Sequence, residues 1–314
     1  MRFLPDQDHL AYTSTVRRLL EDSTPVRTAR AWAAGDHAPG RALWRALADT
    51  GLPALAVPEE AGGLGWYPPE LAAAFVEIGR AAAPGPLVET VALTAALHDG
   101  KLLTGEHLAT VTDPAAGYAV DAHAADAVYT LTPTPPPTLH AATPTGPALP
   151  SVDPTRHLAR CTPGDPLAAD TRRLSDLCTL LTAAQLLGLG RALLDSSVEY
   201  VRHRKQFGRP VGSFQAVKHQ LADAAVGLEF AQPLLYGAAL AVRGDAAADP
   251  RDLPAAKAAC SQAALTAART ALQVHGAIGY TDEYDVSLLL RKARALAQAW
   301  GTTRTCHEAV LAAP

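Results

Sequence analysis

Three short stretches carry residues whose types and spacing suit the binding of an anion or a cofactor. The first is Arg204-Lys205-Gln206-Phe207-Gly208, followed by Phe214-Gln215-Ala216-Val217-Lys218-His219. A guanidinium at such a helix-to-helix turn presents a planar fork of donors that can grip a phosphate bidentately, which lysine cannot do. Amides at the start of the next helix attract an anion as well. The plainer alternative is a basic helix C-terminus facing its own dipole. The second stretch is Gln273-Val274-His275-Gly276-Ala277-Ile278-Gly279-Tyr280-Thr281. Its glycines either let backbone approach a ligand or simply stop a helix and turn the chain. The third, Pro58-Glu59-Glu60-Ala61-Gly62-Gly63-Leu64-Gly65, is a turn by composition. Neither a Walker lysine nor a G-x-G-x-x-G run is present, so phosphate binding of those kinds is not supported. Cys161, Cys178, Cys260 and Cys306 are far apart and form no C-x-x-C pair, which indicates neither a zinc site nor a disulfide framework.

These stretches must be positioned by the surrounding elements. The chain has 314 residues, 48% hydrophobic and 18% charged, enough to bury a sizeable core. A net charge of −4 and 5% aromatics argue against a dedicated nucleic-acid binder. No apolar run is read as a membrane span, and the start MRFLPDQDHL lacks a signal-peptide core, so a cytoplasmic protein is expected. Residues 1–110 read as helical, with amphipathic repeats around Leu10–Leu20, Ala29–Leu52, Leu71–Gly79 and Leu87–His98. Residues 111–167 change character, with seven prolines between Pro133 and Pro150. This segment is either a Pro-rich linker or a small β-domain. The runs Tyr118–Val120, Ala127–Leu131 and His157–Cys161 favour the β-domain. Residues 168–314 read as long Ala- and Leu-rich helices, Leu174–Lys205, Phe214–Val242, Ala255–Val274 and Tyr284–Ala299, with a small-residue stripe at Ala183, Ala184, Gly188 and Ala192. They predict an antiparallel four-helix bundle.

In this order and spacing, the chain resembles the acyl-CoA dehydrogenase family over nearly its whole length. The resemblance rests on VPEEAGGLGW, SVDPTRHLAR, YVRHRKQFGRPVGSFQAVKHQLAD and QVHGAIGYTDEYDVSLLLRKA. It implies a mostly α fold with an N-terminal helical domain, a shortened β middle domain and a C-terminal four-helix bundle. It also implies flavin adenine dinucleotide (FAD) at a subunit interface and α,β-desaturation of acyl-CoA thioesters. Arg204 matches the arginine that reaches the cofactor's pyrophosphate, often across the dimer. Phe207 and Gln215 match neighbours of the adenosine half, and Gln273 and Gly276 match the second subunit's contribution to it. Thr302, after Gly301, matches a residue that often touches the cofactor. Ala277 departs from the family's usual second glycine.

The family's catalytic base is a Glu just before a Gly-Thr pair, or in some members one near the start of the first bundle helix. The matching positions here are Trp300 and Cys178, so the chain reads as a degenerate member with no catalytic residue of its own. One expectation is a non-catalytic partner subunit of a heteromeric enzyme that contributes flavin contacts, the FAD being shared with or held mainly by the partner. That partner is a paralogous subunit carrying the Glu, with a homo-oligomer as the alternative and electron-transfer flavoprotein engaged indirectly. The other expectation is a stand-alone non-redox enzyme, a cyclase, dehydratase or isomerase of secondary metabolism, with His219, His275, Asp282 or Glu283 as acid–base groups. No metal, nucleic acid or membrane partner is expected.

Overall fold

The computed structural model describes residues 7–134, 136–245 and 249–313. The first six residues, including most of the start read for targeting signals, and Pro135 of the proline cluster lie outside them. The helical periodicity of the first part gives α1 (Gln7–Asp22), α2 (Pro25–Ala33), α3 (Ala38–Asp49), α4 (Pro68–Arg80), α5 (Leu87–Leu97) and α6 (Gly100–Leu103). Prolines open α2, α3 and α4, where the missing amide would have no partner anyway. The segment expected as one helix from Ala29 is split between α2 and α3 by a turn at Gly35.

The strands follow: β1 (Ala109–Asp113), β2 (Tyr118–Val120), β3 (Ala127–Leu131), β4 (Leu139–Pro150) and β5 (His157–Leu167). They close into a barrel in the order β1-β2-β5-β4-β3, with β1 parallel to β3 and the other neighbours antiparallel. Closure leaves no free edge, which suits so small a sheet. The proline-rich stretch is therefore strand rather than linker. β4 accommodates its prolines because its pairing with β5 shifts register between Thr145 and Leu149, the kind of irregularity at which a missing donor is tolerated.

The C-terminal part is built on three long helices, α7 (Thr171–His203), α8 (Gln215–Arg243) and α9 (Asp252–His275). A two-residue hairpin, β6 (Lys205–Gln206) and β7 (Arg209–Pro210), links α7 to α8. Two short helices, α10 (Val286–Leu296) and α11 (Thr303–Ala312), pack against this bundle. One hydrophobic core runs from Val16 through the barrel face to Trp300, so the N-terminal helices and the bundle share it. The small-residue stripe has a different purpose from the one its spacing suggests. Gly188 faces α4 of the N-terminal part, where a Cβ would stand 1.9 Å from the Val76 carbonyl oxygen. α7 and α4 thus pack backbone to backbone. By length and composition α7 and α8 could each cross a membrane, contrary to the sequence reading, because their charges are widely spaced. The apolar window of α7 is mostly buried, whereas that of α8 is mostly not.

Candidate functional site

The turn after α10 gathers the buried polar groups. Trp300 has φ 51 and Gly301 φ 109, a left-handed pair that is uncommon for a bulky residue. The Trp300 amide donates to Asp113 Oδ2 at 2.8 Å, and its indole Nε1 donates to Glu89 Oε1 at 3.0 Å. Asp113 closes β1, and Glu89 lies in the first turn of α5. Lys257, fully buried on α9, donates from Nζ to the Gly301 carbonyl at 2.8 Å and to the Leu296 carbonyl at 3.4 Å. A Cβ at Gly301 would stand 3.0 Å from Cys306 Sγ, so the turn has little room for another residue there. Thr302 then caps α11 by accepting from the Thr305 amide.

Beneath the indole is a cavity of about 320 Å³ between the barrel, α5 and α10, with Glu89, Asp113, Tyr118, Arg156, Gln298 and Trp300 among its lining residues. Burial pushes the Glu89 carboxyl above the usual range and outweighs the opposing pull of Arg156 and of the indole bond. Cys178 is fully buried on α7, near enough to Glu89 and Asp113 to be affected by both charges. Burial pushes its thiol well up, so it is neutral and inert. Burial likewise lowers Lys257 to about 8. Neither position that matches the family's base, Trp300 or Cys178, presents a carboxylate. Glu89 went unread in the sequence. It is the single charge in the otherwise apolar helix LVETVALTAAL, and that isolation was the available signal. Among the described residues no group of three or more His, Cys, Asp or Glu could hold a metal.

The other expected cofactor contacts gather at the far end of the bundle. Arg204 caps α7, is exposed, and has no ion-pair or hydrogen-bond partner for its guanidinium among the described residues. Phe207 occupies the first corner of the hairpin turn with φ 53 and is 92% exposed. Gln215 opens α8, Gln273 lies in the last turn of α9, and Gly276 follows it; all three are exposed. The rings of Tyr200 and His275 stack at 4.4 Å, which ties the ends of α7 and α9 together. Thr302 does not join this group. It follows the turn that Lys257 holds, and Lys257 and His275 are about five turns apart on α9, roughly 27 Å. The six residues therefore form two groups, Thr302 with the Trp300 turn and five at the opposite end. The acid–base alternatives fall away from the cavity. His219, Asp282 and Glu283 are exposed, Asp282 pairs with Arg291, and His275 is buried against Tyr200 and Tyr284.

FAD fits the far end of the bundle, where a free guanidinium, an exposed aromatic ring and open backbone after Gly276 face outward. It does not fit a ring site at Trp300, where an indole backed by a buried carboxyl fills the wall.

The sequence matches the acyl-CoA dehydrogenase N-terminal domain over residues 6–100 and the C-terminal domain over 179–313. It is 36% identical to "Acyl-CoA dehydrogenase IpdE2" of Mycobacterium tuberculosis, across 94% of this chain and 93% of that protein. It is 33% identical to "Acyl-CoA dehydrogenase FadE34" of the same organism, across 82% of this chain and 40% of the relative. Among solved structures, the glutaryl-coenzyme A dehydrogenase–glutaryl-CoA complex superposes with a TM-score of 0.81 at 20% identity, over 99% of this chain and 96% of the other. A chain of the ChsE4–ChsE5 complex from Mycobacterium tuberculosis superposes at 0.79 with 24% identity, over 98% and 97%.

Proposed function

The chain belongs to the acyl-CoA dehydrogenase family, and from that premise we propose that it is the non-catalytic partner subunit of a heteromeric, FAD-dependent acyl-CoA dehydrogenase. The observation that carries this reading is Trp300. Desaturation needs a carboxylate to take the α-proton, and the indole cannot take one. Glu89 does not replace it, because the carboxyl is already engaged by Trp300 Nε1 and burial favours its neutral form. The groups that suit FAD lie on the outer end of the bundle, where a second chain could complete them. Arg204 would hold the pyrophosphate in a planar fork, and Phe207, Gln215, Gln273 and Gly276 would line the adenosine half. When bound, FAD would supply the hydride acceptor, and the base would come from a Glu of the partner chain. The reduced enzyme would pass its electrons to electron-transfer flavoprotein.

Other features agree. Val226, Phe230 and Leu234 on α8 are 52%, 73% and 46% exposed, an apolar face of the kind that subunit contacts cover. The ChsE4–ChsE5 complex and the Tcur3481–Tcur3483 steroid enzyme, both of this fold, support a heteromeric enzyme of lipid or steroid metabolism as the setting. The direct test is dye-coupled desaturation of acyl-CoA thioesters. The pure chain with added FAD is expected to show none, and activity is expected once a paralogous chain carrying the Glu is co-assembled. Robust turnover by the pure chain would refute the role.

A second reading has one observation in its favour. A buried carboxyl with a raised pKa, facing a cavity beside Arg156, is also how a general acid is tuned for dehydration or isomerisation. On that reading Glu89 carries the chemistry, and the colourless protein is active alone.

A further inference from the structure

A left-handed tryptophan persists only where its surroundings over-determine it. Trp300 is held from three separate elements. Asp113 at the end of β1 takes its amide, Glu89 on α5 takes its indole N–H, and Lys257 on α9 holds the next carbonyl. All three are buried, and all three converge on this one turn. The cavity that remains, about 320 Å³, is at the small end of the range that small-molecule sites need. A flavin ring with an acyl thioester laid against it asks for more.

We propose that Trp300 is a built plug that closes this chain's own cavity to the flavin ring, leaving the exposed Arg204 end as its route to the cofactor. The plug is latched by Glu89 and Asp113 and anchored through Gly301 by Lys257. The inference deepens the partner-subunit reading and rests on it for its role, but its test reads the cavity alone.

The probe is riboflavin, which carries the ring without the pyrophosphate that Arg204 would bind. Its fluorescence quenching is titrated against the full chain, and a melting curve accompanies each variant. The wild-type chain is expected to leave riboflavin unquenched, and Trp300→Ala to bind it at least tenfold more tightly. Trp300→Leu, a gentler truncation that keeps an apolar side chain, serves if the alanine variant does not fold. Trp300→Phe keeps the bulk without the N–H, so it should melt lower while staying closed. Saturable riboflavin binding by the wild-type chain, or folded Ala and Leu variants that bind no better than wild type, would overturn the plug. Loss of the partner-subunit reading would appear elsewhere, as desaturation by the pure chain, and would leave these titrations unchanged.

Discussion

Lys257 is the residue whose placement can be tested most cleanly. It is fully buried, and its ammonium is lowered to about 8, against roughly 10.4 for a free lysine. Between those values the unfolded chain holds more protons than the folded one, so stability rises with pH through that window. The shift corresponds to about 3 kcal/mol. Cys260 and Tyr12, both pushed up to about 12 by burial, act in the opposite direction, so the difference between wild type and variant is the quantity to read. Denaturant unfolding at pH 7.5 and 10 should show a stability change with pH that is more positive in wild type than in Lys257→Met; an equal change in both would place the lysine elsewhere. At this scale, the spacing of Arg291-Lys292 and Gly301-Thr302 singled out Trp300 as the residue matching the family's base position. Spacing could not reveal that Glu89, more than two hundred residues earlier, would meet the indole, because only the packing of α5 against the turn joins them.

Among the elements, a buried ion pair joins barrel and bundle. Lys292 of α10 donates to Asp153 Oδ2 at 3.2 Å and to Thr155 Oγ1 at 2.9 Å, and both ions are nearly inaccessible. Burial works against the Asp153 charge, but Lys292 and the Thr155 bonds prevail, so its carboxyl sits below the ordinary value. Its stabilising contribution is therefore complete above the unfolded carboxyl pKa and is lost as pH falls through the folded one. Lys292→Ala leaves a buried carboxylate unpaired and should cost about 3–5 kcal/mol in denaturant unfolding at neutral pH. A loss under 1 kcal/mol would mean that the barrel is held by packing alone. The motif SVDPTRHLAR was legible as a family signature, but its physical reason, the Asp153 clamp, needed the fold. β2 and β3 were legible because their apolar, β-favouring residues stand between turns. β1 and β4 were not. β1 is a short five-residue run, and the prolines of β4 point away from strand until the register shift with β5 is seen.

In the molecule as a whole, the expected cofactor contacts divide between two ends of the bundle, roughly 27 Å apart along α9. The residues matched to cofactor contacts therefore do not form one site within this chain. The exposed face of α8, with Val226, Phe230 and Leu234 one turn apart, offers apolar surface for a second chain. This division was not legible: the resemblance set Gln273 and Gly276 apart as the second subunit's share, whereas in this chain they stand at the same end as Arg204. The position of Thr302 at the opposite end follows from the length of α9 and the Lys257 anchor, which no local pattern encodes.

The central claim is that Arg204 serves a flavin seated mainly in another chain, and flavin content in the assembled complex tests it most directly. The complex is this chain co-purified with a paralogous acyl-CoA dehydrogenase chain that carries the base. Charge-assisted bonds of the kind Arg204 would make contribute about 1.5–3 kcal/mol, roughly ten- to a hundredfold in affinity. Arg204→Ala should lose flavin by that factor, and Arg204→Lys should lose less because charge survives without the fork. The melting temperature of this chain should hardly change, since the side chain is exposed and unpaired among the described residues. Flavin occupancy and affinity equal to wild type in Arg204→Ala, within a complex of unchanged composition, would contradict the account.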